Sequence, residues 1–255
     1  MKPTPFHMVQ LRLDTRGLLK FGRMMRLPLD KVDLGYLVHC VHGELFQEQS
    51  PKPFCVEGSD PERVTVLSYS SVGLEALEQL ASGFASPTVY SICDWVQSAS
   101  KPMPTAFALG SVLDFGVRLC PTVRIGAPLR DRQGKVEFRK GAELDVFLAR
   151  ALRDPEKPLE RADVYHQWAT ERLEARGGLK VLGLETEHFA LERFLRRTHG
   201  KERKSKPIKR PSVGLRGRLE VVEPSVFSAF LRQGVGRHKG FGFGMVKLRR
   251  ASSRR

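Results

Sequence analysis

The chain is short of acids, cysteines and long apolar runs. Its 255 residues hold 28 Asp and Glu against 43 Lys and Arg. No stretch approaches the roughly 18 consecutive apolar residues of a membrane-spanning helix, so no membrane role is expected. Met1 to Thr15 lacks the basic start, apolar middle and small-residue cleavage site of a secretory signal, and a cytoplasmic location is the expectation. Cys40, Cys55, Cys93 and Cys120 are widely and irregularly spaced, with no C-x-x-C pair. A tetrahedral zinc site wants paired cysteines or short Cys/His spacings, so scattered thiols predict buried side chains instead. No convincing carboxylate cluster is present to hold another metal, and no cofactor is expected.

What is present is positive charge. The formal net charge is +15 and the isoelectric point is near 10.0. Such a balance implies an anionic partner, for which a nucleic acid backbone is the usual choice. No basic amphipathic helix stands out that would favour a lipid surface. With 41% hydrophobic residues the chain can bury one large core or two small ones.

The first half reads as strand, helix, two strands, helix, strand. Phe6 to Leu13 suits a strand. Leu34 to Phe46 suits a helix, with Leu34, Leu37, Val38, Val41 and Leu45 as its apolar stripe. Glu62 to Tyr69 suits a further strand, Leu74 to Ala81 a helix face, and Pro87 to Ile92 a closing strand. Ser98 to Pro104 carries two prolines and reads as linker. In the second half, Leu113, Phe115, Val117 and Leu119 alternate with polar or small residues. Helices are expected over Ala142 to Leu152 and Leu159 to Ala175, with Gly177 and Gly178 ending the second. A strand begins near Leu179, another covers Leu215 to Val221, and a short helix starts at Pro224. A last strand runs from about Phe243 to Leu248. Each half is thus β-α-β-β-α-β, and the expected α+β fold is two ferredoxin-like (RRM-like) domains in tandem. The boundaries are 1–97, a linker at 98–108, and 109–255.

The most distinctive text is Gly234-Val-Gly-Arg-His-Lys-Gly-Phe-Gly-Phe-Gly244, with five glycines in eleven residues. Glycines let phosphate approach bare N–H groups, and Arg237, His238 and Lys239 add cationic donors. No Walker loop or dinucleotide fingerprint can be placed here. A flexible turn before the last strand is the plain alternative. In the helix from Leu34, at about 100° per residue, Tyr36 and His39 fall opposite the apolar stripe and one turn apart. His42 lies a further turn along, nearer the stripe's edge. Histidine can give or take a proton near neutral pH. Between Arg193 and Arg210 lie nine Lys or Arg and one acid, Glu202. Such a run is usually a solvated loop.

The glycine segment, with a short helix before it and an apolar strand after it, resembles the glycine-rich loop of CRISPR precursor-RNA processing endoribonucleases. Among these it resembles the CasE family, the type I-E Cascade subunit of the RAMP superfamily. Val117-Arg-Leu-Cys-Pro-Thr-Val123, Ala162-Asp-Val-Tyr-His-Gln-Trp-Ala169 and Arg218-Leu-Glu-Val-Val-Glu-Pro224 also resemble that family's segments. Tyr36-Leu-Val-His39 matches its Tyr-x-x-His helix. The resemblance implies a metal-independent cut within the CRISPR repeat, in which the RNA 2′-hydroxyl attacks phosphorus. The ends would be a 2′,3′-cyclic phosphate and a 5′-hydroxyl, and the protein would stay on the crRNA hairpin beside other Cascade subunits. His39 and Tyr36 would be the catalytic pair. Arg197, Lys201, Arg203, Lys204 and Lys206 would hold the repeat stem, and Gly236, Arg237, His238, Lys239 and Gly242 would serve in the loop. Some relatives have a lysine five residues after the histidine, where this chain has Glu44. Arg23, Arg26 or His42 would then supply the missing cation. The competing reading is a non-catalytic RNA-binding subunit of a CRISPR effector complex.

Overall fold

The computed structural model describes residues 4–30, 33–130, 133–197 and 205–250. The first half is built of β1 (His7–Asp14), α1 (Thr15–Met24), α2 (Leu34–Phe46), β2 (Phe54–Ser59), β3 (Arg63–Ser70), α3 (Leu74–Phe84), the short α4 (Pro87–Tyr90) and β4 (Ala99–Pro102). Its sheet runs β2-β3-β1-β4, antiparallel throughout. That is the strand order of a ferredoxin-like domain. Val9, Leu11 and Leu13 alternate inward along β1 and meet Val38, Val41 and Leu45 of α2 in one core. Asp33 starts α2, its carboxylate accepting the Tyr36 N–H at 2.8 Å, which fixes where the helix begins.

The second half comprises β5 (Val112–Leu119), β6 (Thr122–Arg124), β7 (Leu129–Arg130), β8 (Val136–Phe138), β9 (Glu143–Asp145), α5 (Val146–Arg153), α6 (Arg161–Glu174), β10 (Leu179–Arg197), β11 (Ser205–Val221), α7 (Pro224–Gln233) and β12 (Lys247–Arg250). Its main sheet, β10-β11-β5-β12, repeats the first sheet's order and is again antiparallel. Phe115, Val117 and Leu119 of β5 face Trp168, Leu173 and Phe227 of the helices behind it. The tandem ferredoxin-like architecture expected from the hydropathy pattern is therefore present.

Several elements differ from expectation, among them α1 and β6–β8, which the hydropathy pattern does not foresee, and β11, which begins at Ser205 rather than Leu215. Pro87 to Tyr90 is helical and Ser91 and Ile92 form the turn after it, because Ser86 caps the Val89 N–H and Pro87 suits a helix start. The closing strand is β4, inside the stretch read as linker; its polar residues pair with the edge of β1, His7 opposite Pro102. Ala142 to Leu152 divides in two. Asp145 caps the Phe147 N–H at 2.8 Å, so the helix starts at Val146 and the preceding residues pair with β6. Finally, Phe243, Met245 and Val246 are buried between the two halves rather than in a strand. The Val246 carbonyl accepts the Tyr69 hydroxyl at 2.8 Å, and Phe6 and Tyr69 join the second core.

Candidate active site

The face of α2 expected to be open is partly roofed by the glycine-rich loop. Phe241 lies parallel to Tyr36, with centroids 5.8 Å apart, and meets His39 edge-on at 4.5 Å. Tyr36 is consequently only 4% exposed. This corrects the reading of Tyr36 as an open side chain: helix periodicity places it away from the first core but cannot foresee a loop arriving from the other half. His39 remains exposed at the rim. It lines a cavity of about 690 Å³ together with Lys52, Phe54, Arg237, Lys239 and Gly240.

Three effects act on His39. Its partial burial pushes the ring's pKa below the usual histidine value. A hydrogen bond with the Gly240 backbone opposes this, and the positive charge of Lys52 adds to it. The ring therefore tends toward the neutral form near pH 7, in which one nitrogen can accept a proton.

The loop itself is firmly seated. Val235 and Gly244 are joined backbone to backbone at 2.9 Å, and Gly244 N–H donates to the Arg118 carbonyl at 2.7 Å. Gly234, Gly236, Gly242 and Gly244 all have positive φ, which other residues adopt at a cost. The loop's own histidine is held in place: His238 Nε2 lies 2.8 Å from a Glu143 oxygen, and Arg237 Nε is 3.7 Å from the same carboxylate. The His238 contact, ahead of the Thr122 hydroxyl, holds the Glu143 carboxyl down at about 2.

The expected site residues separate accordingly. His39, Arg237, His238 and Lys239 border one cavity. Gly236 borders a second one nearby, and Gly242 packs on Phe54 and Arg118. Arg23 and Arg26, at the end of α1 and just beyond it, do not line the His39 cavity. His42 lines it but is 1% exposed, packed on Phe46 and Phe54, and pushed down to about 3 by burial. A neutral ring cannot supply positive charge, so the choice of His42 as a cation is corrected. The residue missed from sequence is Lys52. It stands in the loop before β2, and its side chain makes no hydrogen bond or ion pair among the described residues. Nothing in the sequence spacing ties it to His39.

The basic run sits on the β10–β11 hairpin. The Asp33 N–H donates to the Arg193 carbonyl at 3.0 Å, and Arg193 donates back to the Asp30 carbonyl at 3.1 Å. The hairpin thus leaves the body beside the start of α2. Backbone pairing continues to Arg196 opposite Lys206 and Arg197 opposite Ser205. Lys201, Arg203 and Lys204 lie outside the described residues.

The family model described as CRISPR associated protein matches residues 6–250. The chain belongs to that family. No curated protein matches this CRISPR-associated protein. Among solved structures, its fold is similar to CRISPR endoribonuclease Cse3 bound to a 19-nucleotide RNA, at 18% identity and TM-score 0.59, covering 96% of this chain and 98% of that one. Thermus thermophilus Cse3 bound to an RNA representing a pre-cleavage complex gives 19%, 0.56 and the same coverage. Cas6e from Escherichia coli gives 17% and 0.58, covering 96% and 100%.

Among the described residues of this CRISPR-associated protein, no helix is long and apolar enough to cross a membrane. Its four cysteines are free thiols, and Cys55, Cys93 and Cys120 are buried. Burial pushes each of these three up to about 12.

Proposed function

We propose that this protein is a metal-independent endoribonuclease that cuts CRISPR precursor RNA within the repeat and remains on the crRNA hairpin as a Cascade subunit. The observation that carries the reading is His39, exposed in a cavity whose other charged walls include Lys52, Arg237 and Lys239. A proton-transfer group and several cations in one cleft suit phosphodiester chemistry. The likeness to Cse3 structures solved with RNA supports the substrate class. The likeness to a chain of a CRISPR RNA-guided surveillance complex, at 17% identity and TM-score 0.50, supports the assembly.

In this mechanism the 2′-oxygen attacks the adjacent phosphorus and its proton passes to neutral His39. The O2′–P bond forms as the P–O5′ bond breaks, and the departing 5′-oxygen takes up a proton. The products are a 2′,3′-cyclic phosphate and a 5′-hydroxyl. Lys52 neutralises charge on the phosphorane, and Arg237 and Lys239 hold the adjoining backbone. Tyr36 acts from one turn before His39, reaching phosphate as Phe241 yields to RNA. RNA carries its own nucleophile, so no step needs a metal ion.

The test is incubation with the repeat RNA in EDTA, beside a His39→Ala variant. A single cut leaving a cyclic phosphate, lost in the variant while binding persists, is the expected result. Tight binding without cleavage by the wild type would make the chain a non-catalytic RNA-binding subunit instead.

A further inference from the structure

The glycine-rich loop has a second face. There, Gly234, Val235 and Gly236 close a separate cavity of about 470 Å³ against β6, α6 and α7. Among the described residues, five cations line it, namely Arg124, Arg172, Arg176, Arg237 and Lys239, and no carboxylate does. Like charges gathered without a counter-charge repel one another, and an anion entering between them relieves that repulsion. Arg237 has Glu143 nearby, while Arg176 and Lys239 donate to Gln233 at 2.5 and 2.7 Å. The side chains of Arg124 and Arg172 make no hydrogen bond or ion pair among the described residues. Arg172 instead lies over the Trp168 ring, 5.9 Å from its centroid. Trp168 lines the same cavity, is 4% exposed, and its indole N–H has no acceptor among the described residues. A buried donor without an acceptor is costly, which favours an occupant that supplies one.

Arg237 and Lys239 border both this cavity and the one holding His39. A free phosphate would fill one cavity; an anion that continues through space can use both. The volume falls within the range of about 300–1,000 Å³ usual for small-molecule sites, which gives room for a nucleotide. We infer that this second cavity is a subsite for an RNA nucleotide flanking the scissile phosphate, its phosphodiester held by Arg124 and Arg172 across the loop from His39. The inference rests on the endoribonuclease reading above and extends it: the loop becomes a ridge over which the strand passes, with cations on either side.

The test couples protein to RNA. Repeat RNAs blocked by a 2′-deoxy sugar at the mapped cut are made with a neutral methylphosphonate at one of the two phosphates on either side of the scissile one. Their affinities are measured for the wild type and for an Arg124→Ala/Arg172→Ala variant. Both positions are exposed, so the fold tolerates the change. One modification is expected to weaken wild-type binding about tenfold. The variant should lose about as much with unmodified RNA and then be indifferent to that same modification. Losses that simply multiply at every phosphate would overturn the subsite while leaving the nuclease reading intact. An acidic protein segment as the true occupant would give that result too. Failure of the wild type to bind the unmodified repeat would overturn both.

Discussion

Phe241 lies flat on Tyr36, ring planes 8° apart and centroids separated by 5.8 Å. One ring comes from the glycine-rich loop of the second half, the other from the helix that carries His39. The pair makes the candidate site a product of both halves. Beneath it, Gly35 sits so close that a Cβ would stand 2.6 Å from the Phe241 carbonyl oxygen.

Gly35→Ala is accordingly expected to push the loop off α2. A contact that short forces backbone movement, with a cost of about 1–3 kcal/mol in stability. Thermal unfolding should shift downward, and RNA cleavage should fall well below wild type while hairpin binding persists. Unchanged cleavage would mean that the loop's placing of Arg237 and Lys239 beside His39 is not needed for the chemistry.

The pH profile should report His39. Acting as a base with a lowered pKa, it predicts a cleavage rate that climbs with pH and levels off below 6.5, its ordinary value. The charged and titratable groups around it are Glu48, Lys52, Arg237, His238, Lys239 and the buried His42. Lys52 repels the imidazolium, so Lys52→Ala should move the His39 titration upward while lowering the plateau rate. The His39 Cε1 proton, followed by NMR without RNA, checks the first effect independently of activity.

Asp33 should make stability pH-dependent. Burial, and then the neighbouring Glu192 carboxylate, raise its pKa to about 7. The folded protein therefore binds a proton that the unfolded chain releases near 3.8. Its stabilising contribution is complete below that lower value and is lost as pH rises through the folded value. Asp33→Asn keeps the acceptor for the Tyr36 N–H but removes the ionisation. Melting temperatures between pH 5 and 8, at roughly unit steps, should fall less steeply in the variant. Equal slopes would show that Asp33 does not carry this dependence.

Binding to the repeat hairpin should weaken steeply with salt. If Arg197, Lys201, Arg203, Lys204 and Lys206 each neutralise one phosphate, the log–log slope is about −3.5 to −4.5 from these five alone. Replacing all five by Gln should flatten the measured slope by that amount. An unchanged slope would remove the hairpin from the RNA interface.

Much of this was legible because local pattern and local structure share a cause. The stripe of Leu37, Val38, Val41 and Leu45 located α2 to its ends, since burial on one face demands that spacing. Alternation along Phe115, Val117 and Leu119 located β5 for the same reason. The polar strand Ala99–Pro102 carried no such signal, because it is exposed along its length and is held by backbone pairing to β1.

The sequence by itself determined the tandem sheet-and-helix plan, the positive charge and the placing of Tyr36 and His39 one turn apart. Only the tertiary structure decided which of the two stays exposed, that His42 is neutral, and that Lys52 stands beside His39. Those outcomes depend on burial and on contacts between residues far apart in the chain, such as Tyr36 and Phe241. Periodicity reports which way a side chain points from its own helix. What meets it there is set by the other half of the chain.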